Sequence, residues 1–243
     1  MQLVKKRECA VPYGIIVNVL GVFLGGMLGG TIGNKIPQRV KESLTLISAF
    51  ASMAIGILLT VKIHAMGAVC LALLLGTLIG ELLHLEDHVK SGFSRLNVRL
   101  MGAAAPDETY MSMFLAVLVL CCTSGTGIFG ALNQGMTGDS SVLLAKAILD
   151  FFTIMVFATT LGRFCAIIAI PQAIIFLLLF FCAKAIYPVM TDAMIGNFSG
   201  VGGVISVITC FRVAKIKDMR LINVLPAMLL VFPITALWDL LPF

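Results

Sequence analysis

Apolar runs of about 20 residues recur along the whole chain and are separated by short polar joints. A transmembrane α-helix needs a run of about that length, and the runs lack the strict alternation of a membrane β-barrel strand. The pattern therefore predicts an all-α, polytopic transmembrane helix bundle of about seven or eight spans, with residues 1–243 forming a single domain. The predicted helices are Val11–Gly33, Ser43–Val61, His64–Leu83, a helix that starts near Thr109, Ser141–Leu161, Phe164–Tyr187, Ala193–Phe211 and Leu221–Leu241.

Composition strengthens this prediction, because 60% of the residues are hydrophobic and only 12% are charged. A soluble domain carries about twice that charged fraction, so the expected surroundings are the lipid bilayer. In such a chain the net charge of +5 sets the orientation of the helices and does not indicate a nucleic-acid partner. Lys and Arg accumulate in alternate loops, which predicts a cytoplasmic location for the loops after the first, third, fifth and seventh helices. Both termini would then lie outside, and only the basic Lys5–Arg7 cluster argues against this orientation of the first helix.

The longest loop, residues 85–108, is predicted to contain an amphipathic helix. Its apolar residues follow a helical spacing, and its basic residues lie off that face. Such a segment can lie on the cytoplasmic leaflet as an interfacial helix. A soluble cap packed on the helix ends would have the same pattern. The apolar face comprises Leu85, Val89, Phe93, Leu96 and Leu100.

Cys121–Met136 reads CCTSGTGIFGALNQGM and interrupts an apolar run with glycines, hydroxyls and amides. Gly125–Gly130 match a dinucleotide-binding loop, but that fingerprint needs a helix beginning within the glycines, and ALNQGMTGDSS follows instead. The same residues resemble a potassium-channel filter without its pore helix or its order of glycines. We interpret the segment as a discontinuous helix facing a wet cavity, with close packing through small residues as the alternative. The candidate binding residues here are Ser124, Gly125, Thr126, Gly127, Asn133, Gln134 and Asp139.

A second glycine-rich segment, Met190–Gly203, reads MTDAMIGNFSGVGG and is predicted to break its helix as well. Two interrupted apolar segments in the two halves of a chain are typical of a transporter site, so Asn197 and Ser199 join the candidate binding residues. The segments from Gly25 and from Gly125 share a glycine-rich stretch, a polar joint and a Ser-led helix, which is compatible with inverted repeats. In the first helix, glycines at every fourth position predict tight helix packing. They are Gly21, Gly25, Gly29 and Gly33.

Lys146 and Asp150 lie four residues apart in the fifth helix and therefore share a face. Asp150 would lie about 13 Å deep in the membrane, where a carboxylate is costly and indicates a functional site. We expect Asp150 to bind a cation, a proton or a cationic group of a substrate, and Lys146 to tune it or hold an anion. A self-neutralised structural pair is the alternative.

Glu81, His84 and His88 share a helical spacing that a metal site could use. Acidic neighbours crowd this spot, and His at a membrane boundary is ordinary, so no metal site is predicted. No cofactor is predicted either, and the chain contains no Ser-His-Asp, H-E-x-x-H or paired catalytic Asp set.

Five segments of the chain resemble the YqgA/YdfK-like family of bacterial membrane proteins. They are GVFLGGMLGG, SMAIGILLTVK, LLGTLIGE, CTSGTGIFGALNQGMTGDSSVLLAKAILDFF and NVLPAMLL. The resemblance covers nearly the whole chain and implies a multi-pass protein of the bacterial inner membrane. It implies no substrate, because the family is a domain of unknown function. The basic start, MQLVKKRE, departs from the family pattern.

These features predict a transporter or channel-like protein for a small solute or ion, with a polar site at broken helices near the middle of the membrane. The alternative is a non-transporting scaffold or sensor that uses the amphipathic loop and the small-residue stripes for partners. A homo-oligomer is compatible with such stripes. An enzyme acting on a lipid-soluble substrate is the third hypothesis, and the missing catalytic sets disfavour it.

Overall fold

The computed structural model describes residues 11–89, 91–92, 95, 108–186, 190–214, 216–217 and 219–240, and these residues are helical apart from turns and short connections. A 3₁₀ turn, Arg163–Ile168, leads into one of the helices. The helices are α1 (Tyr13–Ile32), α2 (Gln38–Thr60), α3 (Met66–Leu82), α4 (Glu108–Thr123), α5 (Gly125–Thr137), α6 (Ser141–Leu161), α7 (Ala169–Ile186), α8 (Asp192–Val213), α9 (Leu221–Val224) and α10 (Pro226–Trp238).

The predicted all-α membrane bundle is confirmed. Within the described residues, six helical segments are long and apolar enough to cross a membrane. The other two passes between the ends of the bundle are α3, which has 17 residues, and α4 followed by α5. With α9 and α10 counted together, the described chain makes eight passes: α1, α2, α3, α4–α5, α6, α7, α8 and α9–α10.

The two ends of the bundle differ in charge. Lys41 and Arg212 line the same cavity where α2 starts and α8 ends, and Arg220 lies near Glu81 at the end of α3. We call this the basic end. Lys62 and the start of α8 meet at the other end, which we call the opposite end.

Exposed apolar residues show which faces of the helices meet lipid. Along α7, large apolar side chains at spacings of four, four and three are exposed, whereas Phe176 and Phe180 on the other side are buried. An apolar face of this kind is stable only in contact with hydrocarbon or another protein, so the bundle fits a bilayer. The exposed residues are Ile170, Ile174, Leu178 and Phe181.

The glycine stripe of α1 permits tight packing, as predicted, and the structure shows that its partner is α6. A Cβ atom at Gly21 would lie 2.9 Å from the Ala147 carbonyl oxygen, and one at Gly25 would collide with the Phe151 carbonyl oxygen. Since α1 and α6 run in the same direction, the stripe brings their backbones together along several turns. Gly33 does not belong to the stripe, because its φ is +57° and a Cβ added there would meet no atom within 4 Å.

The predicted second break is wrong. The helix α8 runs without interruption through Asn197 and Gly203 to Val213. Its glycines allow close packing: a Cβ at Gly203 would lie 2.5 Å from the Gly56 carbonyl oxygen of α2. A local irregularity that was not predicted lies at Leu225 between α9 and α10, where Pro226 lacks a backbone N–H, although the backbone of Leu225 itself stays helical.

Most of the amphipathic segment predicted for residues 85–108 lies outside the described residues, so its placement on the membrane surface stays a prediction. The hypothesis of inverted repeats also stays a prediction. The direction of the two proposed repeat segments is compatible with it, since α1 runs towards the basic end and α5 runs away from it.

Apolar clusters surround α5 on two sides and fix its position. One cluster joins α2, α3, α5, α8 and α10 and includes Phe129 and Phe198. The other joins α1, α5, α6 and α7 around Leu143 and Phe176. The short helix that follows the glycine-rich break is therefore held between packed layers and is shielded from lipid.

Candidate functional site

The helix break predicted in CCTSGTGIFG lies at Ser124. Its backbone is extended, so α4 ends at Thr123 and α5 begins at Gly125. The Ser124 Oγ accepts a hydrogen bond from the Gly127 amide at 3.3 Å, which caps the new helix. The expectation that no helix begins within these glycines is wrong. The dinucleotide-loop interpretation still fails, because a helix and not a strand precedes them.

The buried charge pair of α6 lies beside this break. The Nζ atom of Lys146 donates to both carboxylate oxygens of Asp150, at 2.7 Å each. Lys146 is 3% exposed and Asp150 is 7% exposed. A Cβ at Gly127 would lie 2.7 Å from the Cε of Lys146, so a side chain at this position would press against the lysine stem.

Two amide side chains that the sequence analysis did not select complete the surroundings of Asp150. Asn18 Nδ2 of α1 donates to Asp150 Oδ2 at 3.1 Å, and Gln172 Nε2 of α7 donates to the same oxygen at 3.0 Å. With the two bonds from Lys146, the carboxylate accepts four hydrogen bonds, three at Oδ2 and one at Oδ1. The only signal in the sequence was a single amide within each of two apolar runs, YGIIVNVLG and IPQAIIF.

These amides also leave two buried acceptors next to the pair. The oxygens Asn18 Oδ1 and Gln172 Oε1 have no hydrogen-bond partner within the part of the chain that the structure describes. Gln172 Nε2 also donates to the Cys121 carbonyl at 3.3 Å, close to where α4 ends. Unpaired buried acceptors are costly, and at a charged site they are available for a donor or a cation.

A narrow cavity of about 50 Å³ reaches the pair. Ser124 and Thr126 line it together with Lys146 and Asp150. A wider cavity of about 500 Å³ adjoins it, and the two share lining residues at Leu120 and Val213. The wider cavity reaches Lys41, Glu42 and Arg212, so the polar centre is approached from the basic end.

The remaining candidates fall into two other groups. Asn133, Asp139 and Ser199 line a separate cavity of about 440 Å³ at the opposite end, near Lys62 and His64. Asp139 also holds the start of α6, because its Oδ1 accepts from the Ser141 amide at 2.9 Å. The structure therefore does not bring all the predicted residues into one site.

Gln134 and Asn197 hold the starts of other helices. With its amide oriented to accept, Gln134 receives bonds from the Tyr13 and Gly14 amides of α1, at 3.1 and 3.0 Å. Asn197 Oδ1 receives bonds from the amides of His64 and Ala65, at 2.9 Å each, just before α3. Both side chains thus satisfy backbone donors at helix N-termini, which is a structural task.

A second ion pair, between buried Glu86 and half-buried Arg212, lies at the basic end and was absent from the predicted site. Glu86 is 2% exposed, and its Oε1 accepts from Arg212 Nη2 at 3.1 Å. The Glu86 amide donates to Asn223 Oδ1 at 2.8 Å. These contacts fasten the segment after α3 to α8 and α9. The sequence offered only an acidic cluster there, Glu86 next to Asp87.

The described residues contain no group of three His, Cys, Asp or Glu side chains that could hold a metal ion. Glu81 is one of the three residues whose helical spacing could suit a metal site. Its Oε2 lies 3.6 Å from Nη1 of Arg220.

Comparisons with known proteins place this arrangement in a family. The family model described as a protein of unknown function, DUF554, matches residues 13–236. The chain is 44% identical over 227 residues to "Uncharacterized protein YqgA" of Escherichia coli K12, covering 93% of this chain and 97% of that protein. It is 26% identical over 163 residues to "Uncharacterized membrane protein YdfK" of Bacillus subtilis 168, covering 65% and 66%. No solved structure matches the chain significantly. The chain therefore belongs to the DUF554 family of proteins of unknown function.

Proposed function

We propose that this membrane protein transports a small charged solute or an ion, and that Lys146 and Asp150 form its binding site. The observation that carries the proposal is a buried charge pair, beside a broken helix, at the inner end of a cavity that leads to the basic end. Buried charges within membrane helices are costly and usually mark the path of a substrate or ion. Broken helices at the same depth supply free backbone groups for binding.

The hydrogen bonds of Asp150 define how a ligand would bind. Three of the four bonds fall on Oδ2 and Oδ1 accepts only from Lys146, so a cation or a cationic group would bind at Oδ1, in competition with the ammonium of Lys146. The displaced ammonium could then meet an anionic group near the N-terminus of α5, where the helix dipole also favours negative charge. Asn18 Oδ1 and Gln172 Oε1 offer further acceptors beside the carboxylate. Ligand binding would thus be an exchange of partners within one buried cluster.

We assign the basic end to the cytoplasm and the protein to the bacterial inner membrane. Lys and Arg favour the cytoplasmic side of a membrane protein, and Lys41, Arg163, Arg212 and Arg220 belong to the basic end. The wider cavity would then open towards the cytoplasm.

Transport by the purified protein in proteoliposomes tests the proposal. Charge movement on solid-supported membranes would be recorded with sodium, potassium and ammonium chloride, zwitterionic amino acids and small organic acids as probes. We expect Asp150→Asn to abolish the currents of any probe that the wild type carries. Asp239→Asn removes an exposed carboxylate at the end of α10 and should leave the currents intact. Absence of currents for every probe, or undiminished currents in Asp150→Asn, would refute the proposal.

The four hydrogen bonds that Asp150 accepts also favour a second candidate, a non-transporting scaffold or sensor. In that case Lys146 and Asp150 neutralise each other and hold α1, α6 and α7 together through Asn18 and Gln172. The two candidates differ in what happens when both charges are removed together, because a purely structural pair can be replaced without loss of function.

A further inference from the structure

The two polar cavities lie along one line of contact between α5 and α8. These helices run in opposite directions. Thr126 and Thr209 line the narrow cavity, and Asn133 and Ser199 line the cavity of the opposite end. Thr126 and Asn133 are seven residues apart, so they share one face of α5 and are separated by about 10 Å. We call this line of contact the α5–α8 seam.

Aromatic side chains fill the seam between the cavities. Phe129 lies between Thr126 and Asn133 in the sequence, and it is 1% exposed. A Cβ at Gly202 of α8 would lie 2.8 Å from the Phe129 ring, so the ring rests on bare backbone. The ring of Phe198 lies 5.3 Å from that of Phe129. On the other side of Phe198 stacks Phe232 of α10, at 5.2 Å.

We propose that the α5–α8 seam is the path between the two cavities and that Phe129 is the residue that closes it. The proposal rests on the transport function proposed above. An apolar constriction between two polar cavities excludes water and ions, because neither can be solvated within it. The ring packs directly on the backbone of Gly202, so a shift of α5 away from α8, or a rotation of Phe129 out of this contact, opens the barrier. In the closed arrangement, Lys146 and Asp150 are accessible only from the basic end.

The polar residues of the opposite cavity provide a second opening for this path. Within the described residues, the Asn133 side chain makes one long hydrogen bond, from its Nδ2 to the Asp139 carbonyl at 3.4 Å, so its amide can exchange that partner for a solute. If the aromatic residues served packing alone, the same cavity would be a surface depression without connection to the charge pair. Access to the seam from each side separates these two cases.

Cysteine accessibility tests the path. Single cysteines would replace Thr45, Thr126 or Asn133 in a protein whose native cysteines are alanine, and each would be exposed to an impermeant quaternary-ammonium methanethiosulfonate. Inside-out and right-side-out vesicles present the two ends separately. With Phe129 present, we expect Thr126→Cys to react from the same side as Thr45→Cys and not from the side of Asn133→Cys.

Removing the barrier should change that sidedness. In a Phe129→Ala background we expect Thr126→Cys to react from the opposite end about tenfold faster or more, because the constriction is then wide enough to hydrate. Phe180→Ala removes an equally buried ring off the seam and is the matched control. If Phe129→Ala does not fold, Phe129→Leu should give a smaller increase of the same kind.

Two outcomes would overturn the proposal: reaction of Thr126→Cys from both ends with Phe129 intact, or unchanged sidedness in a folded Phe129 variant. The readout is chemical modification, so it does not depend on finding a transported solute. Altered sidedness without currents for any probe would refute transport while upholding the path. Currents that disappear in Asp150→Asn, with unchanged sidedness, would uphold the site and refute the path.

Discussion

Separating the buried charges of α6 gives the sharpest test of what they do. Lys146→Met removes the ammonium and leaves Asp150 with two amide donors, Asn18 and Gln172. Asp150→Asn leaves the ammonium of Lys146 buried without a counter-charge. Breaking a buried pair by removing one partner costs about 3–5 kcal/mol, because an uncompensated charge stays in the interior. Both side chains are at least nine-tenths buried, so bulk water compensates little of this cost.

The double variant Lys146→Met with Asp150→Asn should be no less stable than either single variant. It contains no buried charge, and the Asn carbonyl can still accept from Asn18 and Gln172. Replacing a buried ion pair by neutral groups is often nearly neutral for stability, whereas halving it is not. The expected non-additivity identifies the pair as one energetic unit.

Unfolding by sodium dodecyl sulfate in mixed micelles provides the measurement, followed by tryptophan fluorescence. The single tryptophan, Trp238, lies against Gly67 of α3 and reports on unfolding without touching the charge pair. Single variants within about 0.5 kcal/mol of the wild type would refute the reasoning, because such a result means that the charges are solvated. A stable double variant that has lost the currents of the wild type would assign the pair to function. One that keeps them would assign it to structure.

Two further predictions concern packing and helix starts. Gly25→Ala should lower the unfolding free energy by about 1–3 kcal/mol in the same assay, because the added methyl group meets the Phe151 carbonyl. The control Gly92→Ala, where an added methyl group meets open space, should be neutral or stabilising. Asn197→Ala should lower the unfolding free energy by about 2 kcal/mol, because two backbone amides before α3 lose their acceptor. The variant should retain wild-type currents. The control Asn133→Ala should cost less, since it loses only one long bond, and equal costs would contradict the structural role of Asn197.

The helix break at Ser124 could be predicted from the residues around it. A serine with an extended backbone followed by Gly-Thr-Gly caps a new helix through its own hydroxyl, which is a property of neighbouring residues. The same pattern of glycines and polar groups at Met190–Gly203 predicted a break that does not exist, because α8 is continuous there. There the glycines permit contact with the backbone of α2, and Asn197 bonds to amides more than 130 residues away in sequence. Nothing in the segment distinguishes a break from a close contact, because both need small residues.

The sequence by itself determined that this protein is a helical membrane bundle, since lipid requires about 20 apolar residues per span whatever the spans pack against. It also determined that Lys146 and Asp150 meet, because residues four apart share a face of any α-helix. Only the tertiary structure decided that Asn18 and Gln172 complete this cluster and that Phe129 packs against Gly202 and Phe198 of α8. Those contacts depend on which faces of distant helices fit together, and that choice is made by the packing of the whole bundle.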